Sequence, residues 1–297
     1  MATYGYHLVD VFTKEKFGGN PLAVFLDAEP LPEILMQPIA KELNLSETTF
    51  VTRPDDGESD FRVRIFTPAR ELPMAGHPTV GTAFVMHHQG VIPTPGNTVF
   101  QEGVGPVPVE LSLDDAGRVV ATMNQPLPTF GPIMEDRVAV AKMLSIPGEG
   151  LLPGYPIQIV DTGVPFLYVP IQDLETIAQC RLRHDRWEVL NQGGLLNEIF
   201  MFTPQTVHET STVHSRMFAP AMGIAEDPAT GAAAGPLGAY LVKYGLAPAG
   251  TRIINEQGFE MGRPSLIYIE IQKTGETFTA VRVGGHSVYM GRGELTL

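Results

Sequence analysis

A phrase that occurs twice in the chain has a histidine, His77, in one copy where the other copy has an aspartate, Asp227. The copies span residues 64–83 and 216–233, and both read Arg-(Ile/Met)-Phe-x-Pro-Ala, a gap, then (His/Asp)-Pro-x-x-Gly-x-Ala. A duplication at a distance of about 150 residues indicates two similar lobes in one chain. Because the lobes present different titratable groups at the same place, the sequence predicts a site between them that uses both.

Each of these two residues precedes a proline and then a run of small and apolar residues. Asp227-Pro228 reads as a helix N-cap followed by proline at the first helical position, and His77-Pro78 has the same form with a weaker cap. The first amides of a helix lack intrahelical partners and carry a partial positive charge. Two such ends facing one cleft would therefore hold a carboxylate or a phosphate without basic side chains. The alternative is that both residues only cap their helices.

Glu47 is a third candidate because it stands at the edge of the apolar, β-prone run of residues 48–51. A carboxylate that is partly desolvated there, beside Asp227, would have a raised pKa. It could then both give and take a proton near neutral pH. The alternative is a solvated glutamate at the end of a strand.

Other catalytic signatures are missing from the sequence. The histidines show no HExxH or other metal-ligand spacing, and there is no Walker loop, no GxGxxG after a strand and no GxSxG. The single cysteine, Cys180, excludes an intramolecular disulfide and paired-thiol chemistry, and a structural role is favoured for it over a reactive one. We therefore expect neither a metal nor a cofactor.

The composition restricts the possible partners. The chain has 297 residues, of which 43% are hydrophobic and 18% charged, as is usual for a globular protein. A net charge of −13 argues against nucleic acid or an anionic membrane surface as the main partner. The sequence begins without the features of a signal peptide, and no stretch reaches the roughly 18–20 apolar residues that span a bilayer. We expect a cytoplasmic protein that binds a small molecule.

The elements that must position the candidate residues are short strands and two unusual helices. Residues 61–66 alternate apolar and charged side chains, and similar β-prone runs recur in both halves. The helices predicted over residues 78–87 and 228–244 carry almost no charge until their ends, which is typical of buried helices. The sequence predicts an α+β fold with two similar lobes, each a β-barrel-like sheet wrapped around one central buried helix, and an active site in the cleft between them.

The boundary between the predicted lobes falls in the proline-rich segment of residues 123–132. We place the N-terminal lobe at residues 1–123 and the C-terminal lobe at residues 124–297, with a last strand that could pack back on the first lobe.

Seven stretches of the chain resemble the PhzF-like family, which is named for the isomerase of phenazine biosynthesis. They are residues 10–12, 19–24, 44–51, 64–68, 71–83, 226–231 and 257–265, in order and nearly from end to end. The resemblance implies the diaminopimelate-epimerase-like fold, which agrees with the duplication. The epimerase relatives use paired cysteines, and this chain has only Cys180.

The resemblance also implies a cofactor-independent isomerase of a small carboxylate-bearing metabolite. In the phenazine enzyme a glutamate moves a proton between two carbons of trans-2,3-dihydro-3-hydroxyanthranilate, a cyclic dienyl amino acid. By motif, Glu47 matches that glutamate, and His77 and Asp227 match its substrate-contacting partners. The helix amides from Gly76 to Pro78 and from Gly231 to Ala232 are then expected near the carboxylate of the ligand.

At one position the chain departs from the phenazine-type pattern, which continues with serine where this chain has Ala232. The missing hydroxyl removes a polar contact that is typically worth about 0.5–1.5 kcal/mol. Two alternatives stay open: an epimerase or racemase on the same scaffold, and a non-catalytic metabolite-binding protein. The family also implies a homodimer.

Overall fold

The computed structural model describes residues 2–194, 196 and 198–297, which divide into two compact units. Unit 1 contains the residues up to Asn124 together with Arg282–Leu297, and unit 2 contains Gln125–Val281. The division after Asn124 lies one residue beyond the boundary expected from the sequence, and the C-terminal segment belongs to unit 1. The assignment of residues 1–123 and 124–297 to two similar lobes stays a prediction.

The chain is of the mixed α+β class, as expected, with 18 strands and six α-helices in the described residues. The strands are β1 (Thr3–Val11), β2 (Asn20–Phe25), β3 (Glu47–Thr52), β4 (Phe61–Phe66), β5 (Glu71–Leu72), β6 (Gly96–Glu102), β7 (Gly105–Leu113), β8 (Val119–Gln125), β9 (Thr129–Ile133), β10 (Gln158–Asp161), β11 (Pro165–Pro170), β12 (Ile199–Thr203), β13 (Val213–Ala219), β14 (Ile224–Asp227), β15 (Arg252–Gln257), β16 (Ser265–Thr274), β17 (Thr277–Gly285) and β18 (Ser287–Thr296). The helices are α1 (Glu33–Leu43), α2 (Gly76–His88), α3 (Arg137–Met143), α4 (Leu174–Gln179), α5 (His184–Leu190) and α6 (Gly231–Lys243).

Strand pairing follows the same order of types in the two units. In unit 1, β1 and β2 are antiparallel, β2 and β3 parallel, and β3 and β4 antiparallel, while β4 pairs antiparallel with β5 and parallel with β6. In unit 2 the corresponding strands are β10, β11, β12, β13, β14 and β15, and each pairing has the same sense. The helices α2 and α6 occupy the same place in these two series. The repeated phrase is thus accompanied by a repeated order of strand pairings.

The helices α2 and α6 are buried along most of their length, as their lack of charge predicts. Glycines on these helices lie directly against the sheet. A Cβ atom at Gly81 would come within 2.7 Å of side chains from β1 and β2, and one at Gly238 would come within 2.5 Å of Ile269 on β16. The glycines therefore allow an approach that a larger residue would block, which offsets their poor helix propensity.

The arginine of the repeated phrase has the same role in both units. Arg64 on β4 makes a bidentate ion pair with Glu71 on β5, with N–O distances of 2.8 and 2.9 Å. Arg216 on β13 pairs with Glu226 on β14, with both distances 2.8 Å. Each guanidinium also lies about 5 Å from the phenylalanine ring two residues further along its strand. The first half of the phrase therefore joins a strand to the short return strand that leads to the buried helix.

Outside the repeated phrase, α1 has 11 residues and the helices α3, α4 and α5 have only six or seven. Sequence patterns predict helices at residues 171–183 and 184–191, and the structure has only the shorter α4 and α5 there, while α3 was not predicted. Along the part of the chain that the structure describes, every helix is too short or too polar to cross a membrane.

Candidate active site

Glu47 and His77 meet in unit 1. Glu47 is the first residue of β3 and pairs with Leu22 on the parallel strand β2, and His77 is the second residue of α2. The Nε2 atom of His77 lies 3.1 Å from Oε2 of Glu47, and the two side chains are 4% and 12% exposed. Among the described residues, no acceptor is aligned with this nitrogen as a hydrogen bond requires, so the contact is a close electrostatic one.

A second contact holds the two elements that carry this pair. The hydroxyls of Thr49 on β3 and Thr82 on α2 form a hydrogen bond of 2.9 Å, and both side chains are fully buried. Thr49 stands two residues after Glu47, and Thr82 stands more than one helical turn after His77. A buried hydrogen bond next to the Glu47–His77 pair therefore joins β3 to α2.

Asn20 determines which nitrogen of His77 carries the proton. Burial lowers the pKa of His77 to about 3, so the imidazole is neutral at ordinary pH and has one N–H. The side-chain amide nitrogen of Asn20, which only donates, lies 3.2 Å from Nδ1 of His77. Nδ1 is therefore the acceptor, and the proton is on Nε2, the nitrogen that faces Glu47. The pair consists of a mostly buried carboxyl group and a neutral N–H donor beside it.

The expectation that His77 and Asp227 are N-caps is wrong in both places. The N-cap of α2 is Ala75, and His77 lies inside the first turn, because proline is tolerated throughout the first turn and Pro78 need not stand at its first position. The N-cap of α6 is Thr230, and Asp227 is the last residue of β14. The predicted helices therefore begin two residues too late in unit 1 and three residues too early in unit 2.

Gly76 and Pro78, the other residues predicted at this helix end, are buried in the first turn of α2. Pro78 has no N–H, so only Gly76 and His77 can donate from the three residues expected near a carboxylate. Their N–H groups are among the first four of the helix, which lack intrahelical acceptors.

Asp227 belongs to a second polar cluster, which lies in unit 2. Its Oδ2 atom accepts a hydrogen bond of 2.5 Å from the hydroxyl of Thr230. The side chain of Gln257 bridges the same two residues: its nitrogen donates to the backbone oxygen of Asp227 at 2.8 Å and to the Thr230 hydroxyl at 2.9 Å, and its oxygen accepts from the Thr230 amide at 3.1 Å. One side chain thus fixes both ends of the turn that carries the aspartate.

The segment after Gln257 supports the same turn. Gly258 has a φ of +79°, and a Cβ atom there would lie 2.5 Å from the backbone oxygen of Pro228. The hydroxyl of Ser265 donates to that oxygen at 2.9 Å. The family-like stretch of residues 257–265 therefore supports the turn that joins Asp227 to α6.

Gly231 and Ala232 are the first two residues of α6. Gly231 is buried, and its carbonyl accepts a hydrogen bond of 2.9 Å from the side chain of Gln125. Ala232 is half-buried, and its methyl group stands where the phenazine-type pattern has a hydroxyl. Their amides belong to the first turn, so they have the donor character that the sequence predicts.

The structure thus groups the predicted residues into two clusters, each within its own unit. Three polar residues that complete these clusters had no predicted role: Asn20, Thr230 and Gln257. All three lie in stretches that resemble the family, but nothing in those stretches predicts what their side chains contact. Their contacts join residues 57 and 27 positions apart, which no local pattern reveals.

Cys180 has no part in either cluster. It lies in the apolar core of unit 2, and burial raises the pKa of its thiol to about 12, so the reactive thiolate is disfavoured. No group of three or more metal-ligating side chains among the described residues could hold a metal ion.

Comparisons with known proteins match nearly the whole chain to one family. The family model described as phenazine biosynthesis-like protein matches residues 9–293. The trans-2,3-dihydro-3-hydroxyanthranilate isomerase of Pseudomonas fluorescens is 35% identical, over 99% of this chain and 100% of that protein. An uncharacterized isomerase of Mesorhizobium japonicum is 36% identical, over 99% of each chain.

Solved structures show the same fold. A PhzF-family phenazine biosynthesis protein from Bacillus anthracis matches with a TM-score of 0.91 and 27% identity, over 100% of both chains. A probable proline racemase from Agrobacterium radiobacter matches with a TM-score of 0.69 and 9% identity, over 99% of this chain and 93% of that one. The second likeness concerns the fold alone. With the match of the family model, these findings show that the chain belongs to the phenazine biosynthesis-like (PhzF) family.

Proposed function

We propose that this isomerase of the PhzF family moves a proton between two carbons of a small carboxylate-bearing metabolite, with Glu47 as the shuttling group. The observation that supports this most directly is the 3.1 Å contact between Oε2 of Glu47 and Nε2 of His77. A carboxyl group that is mostly buried, next to a fixed N–H donor, suits a group that must take a proton and give it back.

The reaction needs no further reactant. Ionised Glu47 removes a proton from one carbon, and the electron pair of that C–H bond enters the unsaturated system of the substrate. The protonated glutamic acid then returns the proton to another carbon, so the product is an isomer and Glu47 is restored. His77 does not carry the proton itself, because its pKa of about 3 keeps it neutral. Its N–H instead orients the carboxyl group and the substrate.

The substrate we propose is trans-2,3-dihydro-3-hydroxyanthranilate or a close relative. The support is the name of relatives that are 35–37% identical to this chain over nearly its full length. We propose that Asp227 contacts the amino or hydroxyl group of this substrate. The first amides of α2 and of α6, which lack intrahelical acceptors, each suit a carboxylate of the ligand, since no basic side chain is then required.

The test is proton NMR in D2O with the purified protein and this substrate. We expect isomerisation with deuterium entering the carbon that receives the proton. Glu47→Gln should lower the rate by a factor on the order of 10² to 10⁴. The control Glu42→Gln changes an exposed glutamate of α1 and should leave the rate unchanged.

Full turnover by folded Glu47→Gln would overturn the shuttle. Chiral analysis of the product separates isomerisation from epimerisation. No turnover by folded wild-type protein would reject this substrate, and calorimetric binding without any deuterium uptake would favour the non-catalytic alternative.

We also propose a cytoplasmic homodimer, which rests on the family and not on a described interface. Light scattering with size-exclusion chromatography tests the dimer, and fractionation of cells tests the location.

A further inference from the structure

Glu102 is a buried carboxyl group that the proposed reaction does not use. It is the last residue of β6, is 6% exposed, and touches the first turn of α2, which carries His77. Its Oε1 atom is hydrogen-bonded to the hydroxyl of Thr79, and among the described residues its Oε2 atom has no hydrogen-bond partner.

The hydroxyl of Thr79 faces two oxygen atoms but has one proton. It lies 2.7 Å from the backbone oxygen of Ala75, the N-cap of α2, and also contacts Oε1 of Glu102. The carbonyl of Ala75 has no proton to give. The single proton of Thr79 can lie along only one of these contacts, so two linear hydrogen bonds require that Thr79 donates to Ala75 and accepts from Glu102. The carboxyl group is then the neutral acid.

The burial of Glu102 also favours a protonated carboxyl group. An ionised carboxylate without compensating donors is costly inside a protein. Burial raises the pKa of Glu102 to about 8, even when Thr79 is counted as a donor to the ionised carboxylate, a contact that lowers it. No charged side chain is among the causes of this shift.

The turn that follows Glu102 holds the segment before the same helix. The amide of Val104 donates to the backbone oxygen of Pro73 at 3.1 Å. A Cβ atom at Gly103 would lie 2.7 Å from Cα of Pro73. Residues 102–104 thus fix the chain on both sides of the N-cap, and His77 lies within the fixed stretch.

We propose that Glu102 is a protonated carboxylic acid that donates to Thr79, and that the relay from Glu102 through Thr79 to Ala75 positions His77 against Glu47. Glu102 is therefore a positioning residue. Its effect on catalysis rests on the function proposed above, whereas its protonation state does not.

The first test needs no substrate. Infrared difference spectra of wild type against Glu102→Gln at pH 6 should show the carbonyl band of a protonated carboxylic acid, which shifts in D2O and disappears with a midpoint near pH 8. Nitrogen NMR of His77 should change in Glu102→Leu and remain unchanged in Glu102→Gln, since glutamine keeps a donor for Thr79. Absence of the protonated band in wild type would overturn the proposal.

The second test uses turnover. We expect turnover of wild type to decline above about pH 8, whereas Glu102→Gln should retain kcat within about twofold and lack this decline. Glu102→Leu should lower kcat by about tenfold or more with little change in KM, because misplacing a catalytic group mainly affects the chemical step. Glu110→Gln, on the neighbouring strand β7, is the matched exposed control.

If Glu102→Leu does not fold, two variants of Thr79 test the relay independently. Thr79→Val removes the relay and should lower kcat, whereas Thr79→Ser keeps the hydroxyl and should restore it. An unchanged alkaline decline in Glu102→Gln would contradict the positioning role. If wild type does not turn over the substrate, the proposed function fails while the infrared and NMR results still decide the state of Glu102.

Discussion

The side-chain nitrogen of Asn20 lies 3.2 Å from Nδ1 of His77, on the side of the imidazole opposite to Glu47. An amide nitrogen has no lone pair to offer, so this contact makes Nδ1 an acceptor and leaves the proton on Nε2. Asn20, the first residue of β2, therefore determines that Nε2 of His77 presents an N–H, and not a lone pair, to Glu47.

Asn20→Asp should reverse this arrangement. A carboxylate beside Nδ1 attracts the proton to that nitrogen and raises the pKa of His77 from its low value of about 3. We expect nitrogen NMR to show the proton on Nδ1, and turnover to fall at least tenfold because Nε2 no longer presents an N–H to Glu47. Asn124→Asp adds the same charge at an exposed position of β8 and should change neither quantity. An unchanged imidazole spectrum in Asn20→Asp would contradict this role for Asn20.

The neutral His77 should cost the protein stability in acid. Its pKa is near the ordinary value of 6.5 when the chain is unfolded and about 3 when it is folded, so below pH 6.5 the unfolded state binds the extra proton. Stability should therefore fall as the pH drops from 6.5 towards 3, by an amount on the order of a few kcal/mol.

Urea unfolding at pH 7 and pH 4.5 measures this effect. His77→Gln should lose less free energy of unfolding between the two pH values than wild type, whatever its stability at pH 7. His184→Gln, at an exposed position of α5, should behave as wild type does. An equal loss in His77→Gln and wild type would show that His77 is not the group responsible.

Sequence patterns located the candidate residues but not their local structure. Asp227-Pro228 has the composition of a helix start, yet the helix begins later because the side chain of Gln257 binds the backbone oxygen of Asp227 and the amide of Thr230. Burial of α2 and α6 followed from their lack of charge, which is a local property. The hydrogen bonds of Gln257 with Asp227 and Thr230 could not be predicted in this way, because only the fold brings residue 257 to residue 230.

Gly258 and Gly262 allow this support of Asp227 to be tested with a matched pair. Both have positive φ, of +79° and +69°, but a Cβ atom at Gly258 would meet the backbone oxygens of Pro228 and Arg263 at 2.5 Å, whereas one at Gly262 would meet nothing within 4 Å. Gly262→Ala should therefore cost only the backbone strain of about 1–2 kcal/mol. Gly258→Ala should cost more and should lower kcat as well, since the turn to Asp227 must move.

Thermal unfolding and turnover of both variants provide the comparison. Equal losses of stability with unchanged kcat would show that the contact with Pro228 does not position Asp227.

Ala232→Ser tests the departure from the phenazine-type pattern. Serine at the second position of α6 replaces a half-buried methyl group with a hydroxyl at the start of the helix. If that hydroxyl contacts the substrate, kcat/KM for trans-2,3-dihydro-3-hydroxyanthranilate should rise by a factor of about two to ten, which corresponds to one hydrogen bond. A lower kcat/KM would indicate that the site suits a different substrate.

His214 should make the protein less stable at high pH. It is buried between two carboxylates: Nδ1 lies 3.1 Å from Oε2 of Glu256, and Nε2 lies 2.9 Å from Oε1 of Glu260. Burial alone would lower the pKa of His214, but the hydrogen bonds and charges of the two glutamates outweigh it and raise the pKa to about 9.

Because the folded value exceeds the unfolded value of 6.5, the contribution of His214 to stability is fully present below pH 6.5 and is lost as the pH rises through about 9. The loss should be on the order of 1–3 kcal/mol, and denaturant unfolding at pH 6 and pH 9.5 measures it. His214→Gln should be less stable than wild type at pH 6 and should lose less between the two pH values. Since Gln257 lies between the two glutamates in the chain, the same variant should also weaken the hold on Asp227 and lower kcat. Loss of stability without any change in kcat would confine His214 to a structural role.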